Sequence, residues 1–588
     1  MIYGFAVSCH SMTSPNQQSP NVSPSALGLN GHSRSQSASQ DSLADLSCIS
    51  CRKLKRKCSK GVPTCSLCAR VGRVCEYPTP PTRAERASVN GKRTWDQANG
   101  FDASPEKDYS SGLARAAEAG RFSRARPLHV AGGPSPVAAE QHDGPRFNRA
   151  WYVDSVAARA MNVSATTDLQ WNDIEGFDVS ISLDDAKQIA ADYFQRTHEW
   201  FPVVSYMRIT RYLKADSPLT AADTVALFVA MHLISQGHER AYQAETQGIM
   251  YRSLKAVLIA CEQHGQFTTN YIAAMMLTGM YEIAQVIYPA AYFTVGAAAR
   301  ACFTIGLHDM YATQLADWGD TWTAKEERRR LYWGMLVLDR YINLGFGLRP
   351  LAMPVIPQAE ILPADDDAWD QGEAAVNLLL VMSIETRAKV SPFARSCQAA
   401  HLVGRISQHT TEHPNPCDPD YHFQEAQQIQ RAATALLSCI QKEYDETLPE
   451  RRHKLFSALA LCCGGLLALY DVHACIDTAN YDSGGRNKGM RMDLQEMALS
   501  GFRHVAGVVL EMAQGMKQSI TTVGVDCVSP LALQAIYAAA ATYAWYAREN
   551  GSETYLSALN QLREVLTSLS GRWRLAGKYN LFSRLRLG

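Results

Sequence analysis

The chain has 588 residues, too many for one ordinary hydrophobic core, so two or more folded units are expected. Lys plus Arg and Asp plus Glu both number 57, and the net charge is zero. The balance is nevertheless uneven: residues 1–150 hold 20 basic against 11 acidic residues, and the remainder holds 37 against 46. A basic front on an acidic body fits a nucleic-acid module attached to something else, and it excludes the body as the DNA-attracting surface.

Residues 1–47 are rich in Ser, Asn, Gln and Pro and poor in large apolar groups. Such a segment cannot bury enough surface to offset its chain entropy and is expected to be disordered. Its opening, Met1-Ile-Tyr-Gly-Phe-Ala-Val, has no charged leader and runs into polar residues, so it is not expected to be a signal peptide.

Six cysteines follow: Cys48-x2-Cys51-x6-Cys58-x6-Cys65-x2-Cys68-x6-Cys75, a twofold internal repeat. A Cys-x2-Cys turn brings two thiolates onto one metal, and zinc accepts four sulfur ligands tetrahedrally. Six thiolates cannot supply two separate four-ligand sites. Sharing two sulfurs between two ions fills all the positions, so the arithmetic favours one binuclear cluster holding two Zn2+ ions. The pseudo-symmetry of the repeat makes the bridges equivalent positions in the two halves, and Cys48 and Cys65 are the expected pair. A disulfide framework would need an oxidising compartment, which nothing in the sequence suggests. A mononuclear knuckle would leave two cysteines idle.

The filling between the cysteines is cationic. Arg52, Lys53, Lys55, Arg56 and Lys57 occupy nearly all of the first six-residue gap; Lys60, Arg70 and Arg73 follow, and Glu76 is the one acid between Cys48 and Tyr77. A short helix from about Cys51 to Cys58 would present these cations from a metal-pinned scaffold. Cations so held neutralise phosphates, and one or two can reach guanine in the major groove. Gly61 and Pro63 mark the loop between the halves. The basic run also reads as a nuclear-import signal, although a plain import tag has no use for interleaved metal ligands.

Cys48-Ile-Ser-Cys51-Arg-Lys-Leu-Lys-Arg-Lys-Cys58, then Pro63, Cys65-Ser-Leu-Cys68 and Cys75-Glu-Tyr77, resembles the fungal Zn2Cys6 binuclear-cluster transcription factors. The resemblance implies that the first and fourth cysteines bridge the ions. It implies that a cluster helix docks in the major groove of double-stranded DNA at CGG-type triplets. It puts the base-reading cation on Lys55. Leu54 stands where the family is often basic.

From 78 to 165, Pro80-Pro81 and Gly132-Gly133-Pro134 lie among Ala, Ser and scattered arginines, which reads as a flexible basic linker, with Leu113–Ala119 as a transient helix. No apolar heptad follows the cluster, so a homodimer would lack a coiled coil and monomeric binding stays open.

Residues 166–588 carry a helical pattern almost throughout. Apolar residues recur at three- and four-residue spacing after Leu183 and over Leu219–Ile234, Thr269–Ile287, Tyr292–Ile305, Arg328–Leu344, Ala374–Val390, Ala426–Ile440, Leu455–Cys475, Leu494–Met516, Pro530–Ala547 and Tyr555–Leu569. An all-α domain of more than a dozen helices is expected. The most apolar stretch, Phe456–Tyr470, is shorter than the roughly 20 residues a bilayer requires and reads as a buried helix. Ten further cysteines (Cys9, Cys261, Cys302, Cys397, Cys417, Cys439, Cys462, Cys463, Cys475 and Cys527) have no paired spacing and read as buried free thiols.

Within this body, Tyr193–Pro202, Val295–His308, Arg328–Tyr341, Leu348–Pro354 and Arg572–Tyr579 resemble, in order and spacing, the fungal-specific transcription factor domain. That resemblance implies a regulatory role and, in some members, a small-molecule effector.

Enzyme-like signals are weak. Gly345-Phe-Gly347 is a fragment that follows a helix, not a dinucleotide loop, and no Walker, Gly-x-Ser-x-Gly or His-Glu-x-x-His pattern occurs. His308-Asp309 reads as a structural helix end, Asp339-Arg340 as a charge pair bracing helix ends, and Asp365-Asp366-Asp367 as a solvated turn.

The chain therefore reads as a small metal-stabilised Zn2Cys6 DNA-binding module (48–77) plus a large all-α regulatory domain, with a disordered N-terminus and linker and no enzymatic activity. Its expected role is that of a nuclear, sequence-specific regulator of RNA polymerase II transcription, working with the transcription machinery. A role dedicated to a fungal secondary-metabolite gene cluster is a further expectation. The competing reading is a ligand-binding or enzymatic helical protein with an incidental zinc cluster.

Overall fold

The computed structural model describes residues 47–53, 58–60, 62–71, 74–77, 169–174, 181–215, 219–236, 241–308, 321–344, 349–356, 360–380, 390–411, 419–474 and 488–585. The expected disordered segment, the linker with its transient helix, Gly345–Gly347, Asp309, Cys9, Cys417 and Cys475 lie outside these residues. The chain divides into two units, one over 11–135 and one over 1–10 together with 136–588.

The small unit's described elements are two short helices, α1 (Ile49–Lys53) and α2 (Ser66–Val71). Each starts at the first cysteine of a Cys-x2-Cys pair: the Cys48 carbonyl accepts the Arg52 amide at 3.0 Å, and the Cys65 carbonyl accepts the Ala69 amide at 2.9 Å. The sequence repeat is thus a structural repeat. Ile49 N–H donates to Glu76 O at 2.8 Å and ties the two ends of the module together.

The large unit is helical. In chain order its elements are α3 (Leu183–Arg196), α4 (Tyr206–Lys214), α5 (Ala222–Ser235), α6 (Ala241–Gln263), α7 (Thr269–Ala284), α8 (Ala290–Thr304), α9 (Trp322–Asn343), α10 (Asp366–Gln371), α11 (Pro392–Thr411), α12 (Pro419–Glu446), α13 (Phe456–His473), α14 (Lys488–Thr522), α15 (Leu533–Asn550), α16 (Glu553–Leu569) and α17 (Arg574–Leu585). Polar caps start several of them: Ser182 and Asp185 form a capping box at α3, and Thr268, Thr321 and Asp365 accept amides at α7, α9 and α10. Among the described residues the extended pairing is limited to two isolated bridges, Gln170 with Ala221 and Ile361 with Leu379.

One of those bridges corrects a sequence expectation. Residues 373–378 are not the start of a helix, as the apolar spacing of Ala374–Val390 suggests, but extended chain. The Asn377 amide donates to the Glu326 carboxylate at 2.9 Å and to Leu362 O at 3.0 Å, and Leu362 N–H donates to Leu378 O at 2.8 Å. These long-range bonds outweigh local propensity.

Two helices that are apolar on every side organise the core. Almost all of α5 is buried among α3, α6 and α7, and α13 packs against α11, α12, α14 and α15. The continuous stretch Pro449–His473 is long and apolar enough to span a bilayer, which the shorter count over Phe456–Tyr470 does not suggest; 89% of its most apolar window is buried inside the bundle. One large cluster of buried side chains runs from Ala186 to Ala576, with a small separate one of Ile406, Ile429 and Leu469. Cys261, Cys302, Cys397, Cys462, Cys463 and Cys527 are buried free thiols, and Cys439 is half-buried.

The body segments that carry the family resemblance are places where a buried cation or indole holds irregular backbone. Arg330, fully buried, bonds Glu326 at 3.1 Å, Asp366 at 2.8 Å, Pro202 O and Ala364 O, and it lies 4.2 Å over the Trp369 ring. Asp365, Asp366 and Asp367 are therefore no simple solvated turn. Asp365 caps α10, Asp366 turns inward to Arg330, and Asp367 pairs with Arg451 at 2.7 Å. Asp339 and Arg340 pair with each other near the end of α9 and clamp the 352–354 backbone: Asp339 accepts the Ala352 and Met353 amides, and Arg340 donates to Met353 O and Pro354 O. A side chain at Gly404 would place its Cβ 2.5 Å from Arg340 Nε, so the close approach of α11 needs glycine. Segments far apart in sequence also meet, with the Trp200 ring edge-on to Trp573 at 6.4 Å and Arg572 donating to Asp526 and to Ile234 O.

Candidate metal centre and nucleic-acid interface

Among the described residues of the small unit, those buried are Cys48, Cys51, Cys65 and Cys68, with Cys58, Leu67, Cys75 and Tyr77 packed against them. The sulfurs of Cys48, Cys51, Cys58 and Cys65 all lie within 4.8 Å of one another, and those of Cys48, Cys65, Cys68 and Cys75 form a second such group. Cys48 and Cys65 belong to both groups. They are the equivalent positions of the two halves.

The spacing can be tested against zinc chemistry. Tetrahedral coordination with Zn–S bonds of about 2.3 Å puts neighbouring sulfurs about 3.8 Å apart. Within these groups the Sγ separations are 3.8 Å for Cys48–Cys65, 3.7 Å for Cys48–Cys68 and 3.7 Å for Cys51–Cys65. The donor set therefore fits zinc.

A backbone amide points at the sulfur of each shared position. Cys51 N–H points at the Cys48 sulfur, and Cys68 N–H at the Cys65 sulfur, both at 3.4 Å. The Cys68 amide brings the Cys65 thiol down to about 6. Burial pushes the Cys68 thiol up to about 12, and Cys51 rises for the same reason. A coordinated dication overrides that burial cost, because a coordinating thiol is deprotonated outright.

The cationic segment is described in part. The first helix begins two residues earlier than the sequence suggests, at Ile49, because the Cys48 carbonyl opens its hydrogen-bond ladder. Arg52 is exposed on it and Lys53 is its last described residue, whereas Lys55, Arg56 and Lys57 lie outside the described residues. On the second helix Arg70 is exposed in the last turn. The Val62–Pro63 peptide in the connecting loop is cis.

The large unit holds another group of ligand-type side chains, His409, His422 and His473. Sequence spacing gives no hint of it, because three helices converge to build it.

A cysteine cluster beside a helix that exposes Arg52, joined in sequence to an all-α unit, defines the class: a metal-stabilised DNA-binding module with a helical companion domain. Residues 46–84 match the family model of the fungal Zn(2)-Cys(6) binuclear cluster domain, and residues 191–460 match that of the fungal specific transcription factor domain. The chain is 32% identical over 148 residues to "Transcription factor BOA15" of Botryotinia fuckeliana, a match covering 25% of this chain and 82% of that protein. It is 24% identical over 233 residues to "Pigment biosynthesis transcriptional activator pigB" of Monascus ruber, across 37% of this chain and 41% of the relative. It is 26% identical over 224 residues to the "Ascochitine biosynthesis cluster transcriptional regulator" of Didymella fabae, across 36% and 38%. The matches thus span less than half the length of the last two relatives. The chain belongs to the fungal Zn2Cys6 binuclear-cluster transcription factors, a family of zinc-binding, DNA-binding regulators.

Proposed function

We propose that this protein is a nuclear, sequence-specific regulator of RNA polymerase II transcription, dedicated to the genes of one secondary-metabolite pathway. The observation that carries the DNA-binding reading is the pair of four-cysteine groups that share Cys48 and Cys65. In this reading two Zn2+ ions occupy the cluster, one held by Cys48, Cys51, Cys58 and Cys65 and the other by Cys48, Cys65, Cys68 and Cys75. Residues 48–77 form the DNA-binding domain, 78–165 the tether and 166–588 the regulatory domain. The pathway reading is supported by relatives named for pigment and ascochitine biosynthesis.

Arg52, Lys53, Lys55, Arg56 and Lys57 supply the DNA contacts. Lys55 reads guanine in a CGG-type triplet, and its neighbours neutralise phosphates. The test is selection of bound sequences from random DNA by the full chain. A single enriched triplet identifies a monomer, paired triplets at fixed spacing identify a dimer, and no enriched motif sinks the reading. On the selected site, Lys55→Ala is expected to lose about 1–3 kcal/mol more than on random DNA. An equal loss on both would reassign Lys55 to phosphate.

A further inference from the structure

Three histidines from three helices share one corner of the large unit. His409 lies in the last turn of α11, His422 in the first turns of α12, and His473 is the last residue of α13. The Nε2 atoms of His409 and His473 are 3.1 Å apart. The His422 ring lies face to face with the His409 ring at 4.1 Å between centroids. One ring nitrogen from each of the three falls within 4.8 Å of the others. His409 is fully buried, and its Nδ1 is 2.8 Å from a carboxylate oxygen of Glu425.

That carboxylate sets the chemistry of the corner. With Nδ1–H donating to Glu425, the Nε2 lone pair of His409 points into the cluster, the arrangement that second-shell carboxylates impose on metal-binding histidines. Two imidazoles bound to one tetrahedral ion at 2.0–2.1 Å hold their nitrogens about 3.3 Å apart. The observed 3.1 Å is close to that spacing, and a tilt of the stacked His422 ring would complete the set. We propose that His409, His422 and His473 form a second metal site, independent of the cysteine cluster, for a divalent first-row ion of the zinc, cobalt or nickel kind, with Glu425 as the positioning carboxylate. An all-imidazole set suits these ions and not Mg2+ or Ca2+. A bound ion would pin the ends of α11, α12 and α13 together.

The full chain, equilibrated with Zn2+ and freed of loose metal, is compared with His422→Gln and His473→Gln by metal analysis. The expected result is one zinc ion fewer per chain in each variant, with DNA binding through the cysteine cluster unchanged. Cobalt loading separates the two sites further: thiolate-to-cobalt charge transfer should persist in the variants, and the imidazole-type ligand-field bands should disappear. Glu425→Gln should weaken zinc binding at this site about 10- to 100-fold. A Cys65→Ala chain, which lacks the cluster but keeps every histidine, should still hold one ion per chain, a readout that does not depend on how well the histidine variants fold. Equal metal content in the wild type and both histidine variants, or a Cys65→Ala chain that retains no metal, would overturn the proposal in favour of a purely hydrogen-bonded histidine cluster.

Discussion

The two units solve the problem of burial by opposite means. Among its described residues the module at 48–77 buries sulfur, with Leu67 and Tyr77 packed against it. The large unit buries a cluster running from Ala186 to Ala576 and adds arginines fully inside it. So small a module cannot fold on apolar area, and it draws its stability from metal ligation. The large unit has apolar area in excess, and its polar groups instead hold loops that no regular ladder reaches. The difference teaches where each fold is written: in local cysteine spacing for the first, and in contacts between distant residues for the second.

The sharpest way to break this contrast is to remove a cysteine that both four-sulfur groups share. Cys65→Ala is expected to abolish specific DNA binding outright, since structural zinc contributes roughly 10–16 kcal/mol to the folding of comparable small modules. The helical signal of the large unit should stay intact in circular dichroism. Cys75→Ala, which touches one group only, should leave part of the metal in place. If the Cys65→Ala chain still selects its operator, the cluster is not the reader.

The matching experiment on the large unit removes Arg330. Glu326, fully buried, and the mostly buried Asp366 would then lose their shared cation, and such broken buried pairs cost about 3–5 kcal/mol. Glu326 keeps Arg329 and the Asn377 amide, so the loss should fall towards the lower end of that range. Arg330→Ala should lower the denaturant midpoint of the helical unit and leave zinc content unchanged. A midpoint equal to that of the wild type would show that the arginine is dispensable to the core.

The same contrast explains what was legible in the sequence. All six cysteines and their repeat follow from spacing alone, because ligand geometry is local, while the pair Cys48 and Cys65 needed the family resemblance as well. Most helices of the large unit were legible too, through apolar periodicity in segments such as 269–284 and 456–473. Helix α11 was missed, although Ala394, Cys397, Leu402 and Ile406 lie buried on it, and a helix was expected just before it instead. The inward turn of Asp366 and the meeting of His409 with His422 and His473 were not legible. Each depends on tertiary placement, and a histidine on a helix looks the same in sequence whether it faces water or two other imidazoles.

Acid sharpens the comparison at smaller amplitude. His401 lies on α11, half-buried, and burial first, then the Arg405 and Arg340 charges, lower it to about 4. The unfolded chain takes up this proton near pH 6.5. Between about pH 6.5 and 4 the unfolded state therefore binds more protons at this site than the folded state, so folding stability drops as pH falls through that window. Below about pH 4 the penalty is complete, at roughly 3 kcal/mol. His401→Phe removes the titrating ring while keeping an aromatic of similar size, and it should flatten this part of the stability profile of the large unit. The comparison is read from denaturant midpoints at pH 7 and pH 5. If the wild type and the variant lose the same stability between those two values, His401 is protonated in the folded protein as readily as in the unfolded chain, and the acid sensitivity of the helical unit has another source.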